Sequence, residues 1–324
     1  MRTTRARTLA VATVAAGLLA GGITAGATDV LPGDKPTDTI ANAAAGQPKN
    51  PSQAQGENAA AAAAQTRTNS ADKPVYLIHG YDPSIKSTGC NKWNKTARAM
   101  KSWGWTGKFV KVGFYAVDEG SKCTVNIARE GDADTPIKEL GKKLAWDVYN
   151  RYTVKGKTVD MVGHSMGGLI ARAALTGTAR QERGFPPKLY VEDVVTLGTP
   201  HRGAASSYLC TEGQQCADMR ATSDFMSWLG VTVPQADQGT DWTLIASHAD
   251  HVAPVSTASP DLSGAQHLVR YAASTGLIHS KLRTTTNDTF RMNHSNNGSA
   301  WQHIRYGAAP IRATMNALYS ASKW

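Results

Sequence analysis

The passage from Thr158 to Leu175 restricts this chain most. Thr158-Val159-Asp160-Met161-Val162 reads as a short strand and feeds directly into Gly163-His164-Ser165-Met166-Gly167-Gly168. Leu169 to Leu175 then continues as a compact helical stretch. A serine flanked by glycines at a strand-to-helix turn answers a steric demand. The turn is tight, and larger side chains at positions 163 and 167 would collide with the neighbouring strand and helix. Ser165 is thereby presented at a helix N-terminus, where amides and the helix dipole favour developing negative charge. A G-x-S-x-G pattern in this setting points to a serine nucleophile. Of the two backbone donors an oxyanion needs, one is expected from Met166, directly after the serine, and the other from Tyr81, in the loop after an earlier strand.

The turn belongs to an alternating pattern. From Lys73 onward, short β-rich runs alternate with longer helix-like stretches, which predicts a mostly parallel sheet covered by helices. Val75-Tyr76-Leu77-Ile78 is continuously apolar and ends in His79-Gly80, as a strand buried on both faces does. Phe109 to Val117, Val191 to Leu197, Trp242 to Ala246 and Leu268 to Ala272 are the other strand candidates. Asn91 to Trp103 carries Trp93, Ala97 and Met100 at helical spacing. Thr135 to Tyr152 sets Ile137, Leu140, Leu144, Ala145 and Val148 on one side of a helix and its lysines elsewhere. Pro310 to Tyr319 reads as a closing helix. Residues 203–240 break the alternation with the apolar cluster Phe225, Met226, Trp228, Leu229, Val231 and Val233, which serves either as a lid or as core.

The ends of the chain speak to location. Arg2, Arg5 and Arg7, an apolar run from Leu9 to Ala20 and the small residues Ala25-Gly26-Ala27 read as a secretory signal over residues 1–27. The run is shorter than the roughly 20 residues of a membrane span, and no other segment approaches that length. Residues 28–72, Ala-rich and without an aromatic residue, read as a disordered linker or leader, with the catalytic domain at 73–324. The formal net charge of +10 is spread thinly, so no nucleic-acid arm is expected. Four cysteines suit an exported protein: the close spacing of Cys210 and Cys216 suggests a loop staple, which leaves Cys90 with Cys123.

Three stretches carry a resemblance: Val75 to Tyr81, Val159 to Gly168, and Val195-Thr196-Leu197-Gly198-Thr199-Pro200-His201-Arg202-Gly203. Together they resemble α/β-hydrolases of the secreted bacterial lipase and esterase type, from about residue 73 to the C-terminus. The resemblance implies a serine esterase acting on acyl esters, with a lid often following the third stretch. It also implies the chain order serine, acid, histidine. The acid then falls on Asp250, followed by Val252, Pro254 and Ser256, with Asp241 as the alternative. The base falls on His279, after the last strand candidate, with His303 as its rival; His267 begins a strand and His294 reads as a solvated loop residue. His79 precedes the serine and reads as a structural hydrogen-bonding residue. No cofactor or metal is called for. The expected partner is an ester or lipid substrate, met at a lipid–water interface if a lid is present, and the chain is expected to be a secreted monomer. An acyltransferase or polyester depolymerase of the same fold, and a non-catalytic binding module on a hydrolase scaffold, are the alternatives.

Overall fold

The computed structural model describes residues 70–84, 89–204, 212–319 and 324. The expected signal, nearly all of the leader, and Cys210 lie outside them. Strand β1 (Val75–Ile78) is followed by helix α1 (Asn94–Ser102), β2 (Phe109–Gly113) and the two-residue β3 (Val125–Asn126). Next come α2 (Ile137–Arg151), β4 (Val159–His164), α3 (Met166–Ala179) and β5 (Val191–Leu197). Two short helices, α4 (Gln214–Asp218) and α5 (Asp224–Leu229), precede β6 (Asp241–Ser247). The chain closes with α6 (Val255–Ala258), β7 (His267–Tyr271), α7 (His279–Leu282), β8 (Thr289–Asn296), β9 (Gln302–Ala308) and α8 (Pro310–Tyr319).

These strands make one nine-stranded sheet in the order β3-β2-β1-β4-β5-β6-β7-β8-β9. Neighbours from β3 through β7 are parallel, and β8 and β9 are antiparallel. Every residue of β1, β4, β5 and β6 is buried, as expected of strands covered on both faces. Side-chain alternation divides β1 between two cores. Tyr76 and Ile78 join Leu140, Leu144 and Val148 of α2 and Leu169 and Ile170 of α3, whereas Val75 and Leu77 join Met100 of α1 and Ile311 and Leu318 of α8. Helix α3, rich in alanine and glycine, is buried almost all round.

Beyond β7 the structure departs from expectation. Residues 289–308 form the β8–β9 hairpin, two strands beyond the last one expected, and His294, expected in a solvated loop, is buried on β8. The two strands carry mostly polar residues with one exposed face, so no apolar run marks them. Their signal was the Asn297-Gly298 pair, whose positive φ angles of 51° and 71° suit a tight hairpin turn. The expected strand from Phe109 stops at Gly113 and gives way to a 3-10 turn at Ala116–Ser121. In the 203–240 region, Phe225, Met226, Leu229 and Val233 are buried in the core, so that cluster is packing rather than an exposed lid face; Val231 is exposed.

Cys90 and Cys123 are disulfide-bonded, and Cys216 is also in a disulfide. At the N-terminal ends of β1, β4 and β5, the buried Lys73 ammonium lies 3.1 Å from Asp160, 3.0 Å from Glu192 and 3.1 Å from Asp193. Burial works against its charge, but Asp160, Asp193 and Glu192 outweigh it and hold its pKa above the usual lysine value. Removing one partner from such a cluster strands the others. Lys73→Met is expected to cost about 3–5 kcal/mol of stability, read by urea denaturation; an unchanged midpoint would count against a stabilising role for the lysine.

Candidate active site

Chain reversal at β1 creates the crevice. After β1 the chain builds β2 and β3 on one side and then returns with β4 to the other, and ligands of open α/β sheets bind at the carboxyl ends of strands beside such a switch. Register then decides which residues meet. Ile78 pairs with Gly163, which brings His79-Gly80 level with His164-Ser165. A Cβ built on Gly80 would lie 2.7 Å from the Ser165 Cβ. On the other flank, His164 pairs with Leu197, and the Ser165 N–H donates to the Leu197 carbonyl at 2.9 Å.

Ser165 stands between β4 and α3 with φ 56° and ψ −130°, a conformation that costs a non-glycine residue roughly 1–3 kcal/mol. Close packing enforces it: a Cβ on Gly167 would fall 2.2 Å from the Ile78 carbonyl oxygen, so α3 sits on the end of β1 with no room for a side chain. Met166 begins α3 immediately after the serine, and Tyr81 lines the cavity onto which Ser165 opens. That cavity has a volume of about 280 Å³ and is also lined by Gly80, Lys92, His164, Val252, His279, Ser280 and Arg283. A larger polar groove of about 760 Å³, between β3 and α2, shares no residue with it and lacks a serine beside a histidine.

The structure joins Asp250 to His279. Asp250 follows β6, His279 opens α7 after β7, and His279 Nδ1 lies 2.7 Å from Asp250 Oδ2. Asp250 is buried, and its other oxygen accepts from the Val252 and Ala253 amides at 2.9 and 3.0 Å, so both oxygens are held. Gly198 guards this pair. With φ 56°, it would place a Cβ 2.9 Å from Asp250 Oδ2 and 3.1 Å from His279 Nδ1. His303 is elsewhere: exposed on β9, it bonds through Nδ1 to Asn293 Oδ1 at 2.7 Å. Asp241 opens β6 and faces His267 at 3.3 Å.

Two further histidines frame the site. His164 is buried against the His279 ring, and its Nε2–H donates to the His279 carbonyl at 3.0 Å, fixing the backbone that carries the candidate base. His79 lies between Gly80 and Asp118, with Nδ1 2.8 Å from the Gly80 carbonyl and Nε2 3.0 Å from Asp118 Oδ2. Asp118 Oδ2 also accepts from the Phe114 and Tyr115 amides, so the Gly80 loop is anchored to the end of β2. Nothing in the local sequence marks Asp118, Lys92 or Arg283 for this site. Each arrives from a segment whose path only the folded chain reveals.

Parallel sheet, switch point and strained serine between β4 and α3 decide the fold class. The chain has the α/β-hydrolase fold. A PGAP1-like alpha/beta domain family matches residues 71–214 of this chain, less than half of its length. Among solved structures, a mature-form lipase of Bacillus licheniformis is 19% identical, with 56% of this chain and 69% of that one covered at a TM-score of 0.38. Lipase B of Aspergillus fumigatus is 15% identical over 65% of this chain and 49% of that one, at 0.45. A Listeria innocua protein is 14% identical over 77% and 94%, at 0.44. The chain therefore spans about half the length of the Aspergillus lipase. No curated protein matches the sequence. No helix among the described residues is long and apolar enough to cross a membrane.

Among the described residues, carboxylates converge closely enough to hold a metal at Asp160, Glu192 and Asp193, where the Lys73 ammonium already sits. Burial, with the nearby His279, holds the His164 pKa well below the usual histidine value, and burial does the same for His201. Both are therefore neutral in the fold but take up protons in the unfolded chain below about pH 6.5. The stability they contribute is complete above that value and falls as pH drops, by roughly 1.4 kcal/mol per pH unit for each. Melting curves from about pH 8 to about pH 5 are expected to decline less steeply in His201→Gln than in the parent; equal slopes would show that His201 is not a source of the acid sensitivity.

Proposed function

We propose that this α/β-hydrolase is a secreted carboxylic-ester hydrolase with Ser165 as nucleophile, His279 as base and Asp250 as the orienting acid. One observation carries the reading: Ser165, on its strained turn, and His279, bonded to the buried Asp250, open onto one cavity. With Nδ1 facing Asp250, His279 presents Nε2 for proton transfer. Ser165 Oγ attacks the ester carbonyl carbon while its proton passes to His279, and the Met166 and Tyr81 amides receive the oxyanion. Collapse expels the alcohol, which takes the proton from His279, and leaves an acyl-serine. Water, deprotonated by the same histidine, then releases the carboxylic acid and restores the serine.

Substrate size follows from the site. About 280 Å³ is at the small end of ligand cavities, and the apolar cluster at 225–233 is mostly packed into the core. Both observations favour short acyl esters, including short-chain glycerol esters, over long-chain aggregated lipid. Transfer of the acyl group to an alcohol would use the same machinery, and competition between water and added alcohols reads it directly.

The test is hydrolysis of p-nitrophenyl esters of increasing chain length by residues 28–324. Activity is expected to peak at butyryl or shorter chains. Ser165→Ala and His279→Ala are each expected to lower kcat by roughly four to six orders of magnitude, and Asp250→Asn by about four. His303→Ala is expected to retain parental activity. A folded parent that turns over none of these esters and ignores a serine-directed phosphonate would sink the reading in favour of a binding module. Gly198→Ala is expected to lower kcat by about 100-fold while leaving the chain folded, because the new methyl intrudes on the Asp250–His279 pair.

A further inference from the structure

Two arginines are buried among the described residues, and they are treated differently. Arg172, on α3, donates to the carbonyls of His201, Leu229, Gly230 and Thr232, at 3.1, 3.4, 2.7 and 3.2 Å, so its charge is well solvated by the protein. Arg283 is only 8% exposed, yet one carbonyl, that of Lys92, accepts from it at 3.0 Å. Its Nε, like that of Arg172, has no hydrogen-bond partner, so the two differ in how many carbonyls receive the rest of the guanidinium; no carboxylate among the described residues lies within ion-pair distance of Arg283. Buried charges are ordinarily paired, because leaving one unpaired costs several kcal/mol.

The position of this under-used cation is what matters. Arg283 lies four residues after His279 across the single turn of α7, a spacing that puts both on one face, and both line the cavity at Ser165. Lys92 lines the same wall, with its ammonium paired to Asp82. The field of both cations reaches the serine turn, where it adds to burial and His279 in keeping His164 uncharged. Two carboxylates oppose these charges: Asp82, whose field reaches Arg283, is paired with Lys92, and both oxygens of Asp250 are already engaged.

We infer that the site selects esters that carry an anionic group, a carboxylate or a phosphate, a few atoms from the scissile carbonyl, with Arg283 receiving that group and Lys92 adding to the field. This rests on the esterase reading above and narrows its substrate class. A guanidinium suits either anion, since its planar N–H donors match both.

Matched ester pairs test it. Monomethyl succinate against methyl isocaproate, of like shape, reports an acyl-side carboxylate; butyrylglycerol phosphate against butyrylglycerol reports an alcohol-side phosphate. Turnover of any of the four, abolished in Ser165→Ala, tests the esterase reading by itself. The inference expects kcat/KM for at least one anionic member to exceed that of its neutral partner by about tenfold or more. It further expects that ratio to fall toward unity in Arg283→Gln and to be partly kept in Arg283→Lys. Ratios at or below unity in both pairs, or a ratio unmoved in folded Arg283→Gln, overturn it. Should the chain hydrolyse no ester, calorimetric titration of Ser165→Ala with the succinate pair decides: tighter binding of the anion supports the inference, and equal affinity overturns it. Should Arg283→Gln fail to fold, the parental ratio and Arg283→Lys decide.

Discussion

How closely α3 lies against the ends of β1 and β4 governs the rest of the site. With no side chain at Gly167, the helix rests on the Ile78 carbonyl, and Ser165 is left in a backbone conformation that only surrounding structure can hold. Parallel pairing supplies that structure. β1 and β5 flank β4 in a register that sets Gly80 on one side of the serine and Leu197 on the other. Five consecutive loops at the same edge then deliver Gly80, Ser165, Gly198, Asp250 and His279 to one place. None of them needs to be long, since the sheet has already done the positioning.

Polar order radiates from that edge in layers. Asp250 fixes the ring of His279, the two amides of Val252 and Ala253 fix Asp250, and His164 fixes the backbone of His279. A parallel arrangement of Asp118 and His79 fixes the Gly80 loop. Each ring is thus held by groups from a different strand end, so geometry at the serine is a property of the whole edge and not of one motif. The opposite edge holds the Lys73 cluster, where the same three strands begin. Ionic groups therefore mark both ends of strands whose middles are apolar.

Legibility in the sequence tracked burial and chain locality. The fully buried strands from Val75, Val159, Val191 and Asp241 were visible as apolar runs because both of their faces meet core. Ser165 was visible because a tight strand-to-helix turn tolerates few residue types, and all of its neighbours are adjacent in the chain. Asp250 and His279 were reachable through chain order and resemblance, and the folded chain sets them 2.7 Å apart. Asp118 and Arg283 were not, because their roles depend on contacts with His79 and Lys92 from distant segments. His294 misled for a related reason. Its asparagine-rich surroundings resemble a loop, yet they form a strand with one wet face. The lid question divided in the same way: helical spacing of Phe225, Met226 and Leu229 is compatible with either fate, and only packing distinguishes them.

The late hairpin has a consequence for the sheet as a whole. Were the sheet to end at β7, Leu268 and Val269 would sit in a bare edge strand, offering unpaired backbone beside apolar side chains to any other chain. β8 covers that strand, and β9 in turn presents Gln302, His303, Arg305 and Tyr306 to solvent. Polarity hid these two strands from sequence reading, and the same polarity makes them a poor template for intermolecular β-pairing. The last strand of the sheet is thereby guarded against edge-to-edge pairing with a second chain.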